Sequence, residues 1–195
     1  MIAEAIEIVL AGLIGYLLGA FPTGLLVGRA VRGVDVRQHG SGHTGGLNVS
    51  RAAGTRSGAL TAAVDVLLAV AAILGARLLS DSPWAITAAG ALAAVGHNWS
   101  IFMRFHGGIG LSSLGGALIT VVPLQTLGAA AILALLWIAL TRVLRLQRAR
   151  ATIAIMIALG PVLWALGVPL HGILMGVGGA IAVTIKTVPD WHRQY

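Results

Sequence analysis

The chain is 195 residues long, 57% hydrophobic and 10% charged, with a mean hydropathy of +0.93. Those values exclude an ordinary water-soluble domain and indicate a polytopic membrane protein. The net charge of +7 comes from twelve arginines and one lysine, Lys186, against six carboxylates. In a membrane chain this excess marks cytoplasmic loops and argues against a nucleic-acid partner. Without cysteine there is no disulfide, thiol nucleophile or sulfur-ligated metal. The histidines lack H-E-x-x-H or comparable spacing, so neither a metal nor another cofactor is expected.

The first apolar run, about 3–31, has Glu4 and Glu7 at its start and no A-x-A site, so it reads as a retained helix rather than a cleaved leader. A polar loop follows, with Arg37, Arg51 and Arg56. The second run, about 57–79, contains Asp65, and Asp81-Ser82-Pro83 makes a tight turn. A third run at about 84–102 leads into Arg104-Phe105-His106-Gly107-Gly108-Ile109-Gly110. The stretch at about 111–141 is interrupted at Val121-Val122-Pro123. After the basic turn with Arg142, Arg145, Arg148 and Arg150 come runs at about 151–166 and 170–187, separated by Gly167-Val168-Pro169.

The arginine clusters decide the topology. If all face the cytoplasm, the stretch 111–141 must cross twice, hinged at Pro123. A single straight helix of that length would be about 45 Å long, too long for a core of about 30 Å. The expectation is one all-α domain, 1–195, with seven transmembrane helices, the N-terminus outside and the C-terminus cytoplasmic. Arg77, near an outer helix end, is expected to snorkel outward. Trp84, Trp99, Trp137 and Trp191 lie near helix ends as interfacial anchors.

Two polar, glycine-bearing segments then share the cytoplasmic face. Residues 40–51 read G-S-G-H-T-G-G-L-N-V-S-R. Glycines let backbone N–H groups turn toward one point, and an adjacent arginine suits a phosphate. An ordinary glycine-rich turn is the plainer reading, since no Gly-Lys-Ser/Thr follows. His97, just before the second segment, is either a general base or a helix-end histidine bonded to a carbonyl. Asp65, inside a span, is read first as a structural tie to a neighbouring loop through Arg51. The sum is a cytoplasm-facing pocket open to the acyl region of the bilayer, which suits a substrate with a phosphate and a lipid tail.

At these residues the sequence resembles the bacterial glycerol-3-phosphate acyltransferases of the PlsY type. That family's first motif is close to G-S-G-N-x-G-A-T-N-x-x-R, matched here from Gly40 to Arg51, with Gly54, Gly58 and Asp65 at the following anchors. Its second, close to G-H-x-x-P-x-F-x-x-F-K-G-G-K-G, is matched from Gly96 to Gly110. The resemblance implies transfer of an acyl chain from acyl-phosphate to the 1-hydroxyl of glycerol 3-phosphate, giving lysophosphatidic acid without a covalent acyl-enzyme. It also implies a multi-pass protein of the bacterial inner membrane in contact with membrane lipids. By motif position, Ser41, Arg51 and His97 are the catalytic candidates. Gly40, Gly42, Gly45, Gly46, Asn48, His106, Gly107, Gly108 and Gly110 are the substrate- and phosphate-binding candidates.

The departures from that pattern are specific. Family Asn and Thr of the first motif are His43 and Leu47, the Pro of the second is Ser100, and both of its lysines are replaced, by His106 and Ile109. The lysine after the helix aspartate is Leu68, the region after the basic turn reads Arg145-Leu146-Gln147-Arg148, and the family's C-terminal motif gives way to Thr187-Val188-Pro189-Asp190-Trp191-His192-Arg193-Gln194-Tyr195. Arg145 or Arg148 is the candidate to restore the lost charge. The alternative to an acyltransferase is an inactive relative serving as a structural or lipid-binding subunit of a membrane complex.

Overall fold

A computed structural model describes residues 1–193; Gln194 and Tyr195 of the tail lie outside the described residues. Nine α-helices are present among them: α1 (Ile2–Gly19), α2 (Thr23–Arg32), α3 (Gly46–Ala53), α4 (Thr55–Leu79), α5 (Pro83–Asn98), α6 (Leu111–Val121), α7 (Pro123–Ile138), α8 (Arg148–Ala165) and α9 (Leu170–Thr187). Five stretches are long and apolar enough to cross a membrane: Ile2–Arg32, Thr55–Leu79, Pro123–Val143, Arg148–Ala165 and Leu170–Asp190.

Several boundaries differ from the sequence reading, each for a local reason. The first run breaks between α1 and α2 at Phe21-Pro22, because proline lacks an N–H and its ring crowds the preceding turn. The third run stops at Asn98 instead of near 102. There the chain folds back, and the N–H groups of Gly107 and Gly108 donate to the carbonyls of Asn98 and His97. The end of the first polar segment is helical, since α3 begins at Gly46. The break at Pro123 is where the sequence puts it: Val122 separates α6 from α7.

The bundle is built around α5, which packs against α1, α4, α6 and α9. Its inward face is alanine and glycine: Ala85, Ala89, Gly90, Ala93, Ala94 and Gly96. Many bulky apolar side chains point outward, with Leu67, Leu124, Leu135, Ile157 and Trp164 all exposed, while others such as Ile73, Leu163 and Met175 fill the core. A small-residue interior and a leucine-rich exterior are what a lipid-facing bundle requires, because lipid tails are as apolar as leucine and helices gain by close approach. α1 sits so near α5 that a methyl on Gly15 or Gly19 would collide with the backbone of Ala89 or Ala93. The Tyr16 hydroxyl donates to the Trp99 carbonyl at 2.8 Å, and the Ser100 hydroxyl donates to the Ala20 carbonyl, stapling α1 to the end of α5.

The polar residues flagged in the apolar runs find partners within the bundle. Asp65 is 2% exposed, and its Oδ2 faces His97 Nδ1 at 3.8 Å, beyond hydrogen-bond distance, so the group opposite it is a histidine rather than Arg51. Arg77 reaches the Thr120 carbonyl at 3.4 Å. Two of the expected anchor tryptophans stack with cations, Trp99 with Lys186 and Trp191 with Arg150.

Because the obstruction at Gly15 is backbone, it cannot rotate away. Gly15→Ala is expected to destabilise the bundle by about 1–3 kcal/mol, read as a lower unfolding midpoint in detergent. Gly115→Ala, where nothing lies within 4 Å of the new methyl, is the control, expected to leave the midpoint unlowered or to raise it slightly.

Candidate functional site

The first polar segment is an ordered loop centred on Asn48. This side chain is 2% exposed. Its Nδ2 donates to the carbonyls of Val36, His39 and His43 at 2.8–2.9 Å, and its Oδ1 accepts from the Ser41 N–H at 3.0 Å. Asn48 therefore holds the loop's own backbone, and its amide is not left over for a ligand. Gly40, at φ +53°, passes so close that any side chain there would strike Asn48 Oδ1. Upstream, Asp35 accepts from the Arg37 guanidinium at 2.6 and 2.9 Å and faces Arg29 at 3.6 Å. The Arg37 guanidinium holds the Asp35 carboxyl at a pKa of about 2.

The second glycine segment caps α5 and closes on the first. Gly108 lies against His97 Nε2 with no room for a side chain, and a methyl there would also come within 3.2 Å of the Gly45 N–H nitrogen. Gly110, at φ +83°, begins α6 and presses on Asn98 Oδ1. The two segments and His97 thus meet at one point, 7% exposed at the histidine.

Above that point lies a cavity of about 840 Å³. Its polar end is formed by Ser41, His43, Gly45, Gly46, Arg51, His97, Ser112, Arg148 and Asp190. Its apolar wall comes from Ala59 and Ala62 of α4, Ala130, Leu133, Ala134 and Trp137 of α7, and Ile155 and Met156 of α8. The first residues of four helices line it: Gly46 of α3, Thr55 of α4, Leu111 of α6 and Arg148 of α8. A helix N-terminus in general leaves its first N–H groups without intrahelical partners and carries roughly half a positive charge. Together with Arg51 and Arg148 they make the polar end receptive to an anion.

Of the residues singled out from the sequence, Ser41, Gly45, Gly46, Asn48, Arg51, His97 and Gly110 line this cavity. Gly40, Gly42, Gly107 and Gly108 lie behind it as structural glycines, and the N–H groups of Gly107 and Gly108 are engaged in capping α5. His106 is outside it, exposed, with Nδ1 against the Arg104 carbonyl at 2.7 Å. Trp137 is a cavity wall rather than a free anchor. Of the two candidates to restore the lost charge, Arg148 lines the cavity and Arg145 does not.

Sequence reasoning missed the C-terminal turn. Residues Val188–Asp190 form a single 3₁₀ turn after α9. It brings Asp190, 3% exposed, against His43, whose Nε2 donates to Asp190 Oδ2 at 2.6 Å. Arg193 faces the other carboxylate oxygen at 3.3 Å. The substituted position 43 was the only available signal, and its partner is 147 residues away.

Fold and cavity together define an integral-membrane helix bundle with a cavity of about 840 Å³ lined by arginine and histidine as well as by an apolar wall. The chain belongs to the glycerol-3-phosphate acyltransferase family, whose family model matches residues 9–193. A glycerol-3-phosphate acyltransferase of Symbiobacterium thermophilum is 35% identical over 193 residues, covering 96% of this chain and 90% of that protein. One of Rubrobacter xylanophilus is 48% identical over 130 residues, covering 67% of this chain and 63% of that protein's length. Among solved structures, PlsY, an integral membrane glycerol 3-phosphate acyltransferase, superposes in its glycerol 3-phosphate form with a TM-score of 0.79. It is 26% identical, and the match covers 95% of this chain and 90% of that one. Its lysophosphatidic acid form gives 0.77.

Two predictions test the loop. Asn48→Ala removes four hydrogen bonds and strands buried backbone groups, so it is expected to cost at least about 2 kcal/mol, read as a lowered unfolding midpoint with loss of amide protection across residues 36–43. For Asp35, whose pKa is depressed in the folded chain, the stabilising contribution is complete above its ordinary value near 4 and is lost as pH falls through about 2. Proteolytic sensitivity of this loop is expected to stay flat from pH 7 to pH 5 and to rise only below pH 4, whereas Asp35→Asn is sensitive throughout.

Proposed function

We propose that the protein transfers an acyl chain from an acyl phosphate to the 1-hydroxyl of glycerol 3-phosphate, releasing phosphate and lysophosphatidic acid. The observation that carries this reading is the convergence of four helix N-termini, Arg51 and Arg148 on one cavity with an alanine-rich apolar wall. Such a cup takes a phosphate at its polar end and an acyl chain along the wall between α4, α7 and α8. The names of the relatives, and the two bound forms of the PlsY structure, support the same reaction.

In the proposed reaction the hydroxyl oxygen attacks the acyl carbonyl carbon, the carbon–oxygen bond to phosphorus breaks, and phosphate departs with the electron pair. Two like charges about 5 Å apart repel by about 3 kcal/mol at an effective dielectric near 20, so the two phosphates need dense positive potential. The helix ends and the two arginines supply it in place of the lysines that the family motif carries. Ser41 and Arg51 are the proposed polar contacts to substrate. His97, whose ring nitrogens face Asp65 and the Gly45–Gly108 backbone, acts by fixing the cup's shape.

The proposed topology has seven crossings in one domain, 1–195, with the N-terminus outside and the C-terminus in the cytoplasm of the bacterial inner membrane. It is supported by residues of the first polar loop, the second glycine segment, the turn before α8 and the C-terminal turn lining the same cavity, with α6 starting at it and α7 reaching it at Trp137 and Ile138.

The test is turnover of purified, folded protein with a long-chain acyl phosphate and glycerol 3-phosphate. Phosphate and lysophosphatidic acid are expected in equal amounts. Arg51→Ala and Ser41→Ala are expected to lower kcat/KM by about 10²-fold or more, as for removal of a group that stabilises transition-state charge. No turnover in folded protein rejects the acyltransferase and leaves the non-catalytic subunit.

A further inference from the structure

We propose that His43 is the general base of this chain and that Asp190 is its positioning residue, a pair that rests on the acyl-transfer reading above. Both side chains line the polar end of the cavity, one from the first loop and one from the C-terminal turn. The 2.6 Å bond between His43 Nε2 and Asp190 Oδ2 has a defined direction. A carboxylate only accepts, so Nε2 carries the hydrogen, and in the neutral imidazole the lone pair is then on Nδ1. That is the neutral tautomer a base requires, held by a carboxylate that also stabilises the imidazolium once formed. Asp190 is 3% exposed and is itself fixed by Arg193, so the pair is a built feature rather than a surface contact.

The other imidazole of the cavity has no comparable freedom. His97 Nε2 is walled by Gly108, and Nδ1 points to Asp65. Among the described residues, Asp190 pairs with His43, Arg193 pairs in turn with Asp190, His97 is electrostatically coupled to His43 and to Lys186 of α9, and Arg51 and Arg148 line the same cavity. Asp190 is the only anion among these described groups.

In the proposed step, the 1-hydroxyl oxygen of glycerol 3-phosphate forms the ester bond to the acyl carbon while its proton passes to His43 Nδ1. Asp190 stays ionised throughout. The departing phosphate, or solvent, then takes the proton from Nδ1 and returns the imidazole to neutrality.

The experiment is the pH dependence of kcat and KM for wild type, His43→Asn and Asp190→Asn, each first shown to be folded by its unfolding midpoint in detergent. Asparagine at 43 removes the base and is too short to reach Asp190 as Nε2 does, so the unfolding midpoint and KM separate loss of the latch from loss of the base. In His43→Asn, kcat is expected to fall by about 10²-fold or more, with KM for glycerol 3-phosphate within threefold and the acidic limb of the profile abolished. In Asp190→Asn the limb should persist but move to lower pH, because the imidazolium loses its counter-charge. If wild type turns over and His43→Asn keeps either its rate or its acidic limb, the base assignment is overturned and the pair is a rim contact. If wild type does not turn over, the acyl-transfer reading fails and the base assignment fails with it.

Discussion

The contact of Gly108 with His97 is the constraint on which the cavity depends. It brings a loop from the end of α5 to within a methyl's width of a loop 60 residues earlier, with the imidazole filling the space between. Any side chain at 108 would push the two apart and displace the N-termini of α3 and α6, which take their positions from Gly45 and Gly110. The polar end of the cavity is therefore a product of backbone packing first and of charged side chains second.

This ordering accounts for how the chain can lack two lysines that the family motif carries. The basic side chains of that motif are one source of positive potential, and helix N-termini are another that no substitution of side chains removes. Four of them border the cavity, and the α7–α8 turn adds Arg148. Ile109, in place of a lysine, lines the cavity as an apolar surface, and His106 has left it altogether.

Much of this was legible in the sequence because it depends on local punctuation. Pro123 splits 111–141 through its own geometry, and the arginine clusters mark the loops that gather at the cavity. The glycine motifs pointed to residues that do line it, among them Ser41, Gly45 and Arg51. What escaped was non-local. Asn48 looked like a ligand group, yet all its amide bonding goes to carbonyls and an N–H within twelve residues. Gly107 and Gly108 looked like phosphate contacts, but their N–H groups satisfy the end of a helix that sequence pattern alone ran on too far. The tail read as the loss of a motif, because nothing near Asp190 in the chain announces that it will meet His43.

That last meeting has a temporal side. Ser41 and Asp190 border the same chamber although nearly the whole polypeptide separates them. A ribosome has to finish α9, and the membrane has to accept it, before the chamber has a complete wall. Every shorter intermediate lacks Thr187 and Asp190, so the chamber is fully walled only once the last helix and its turn are in place.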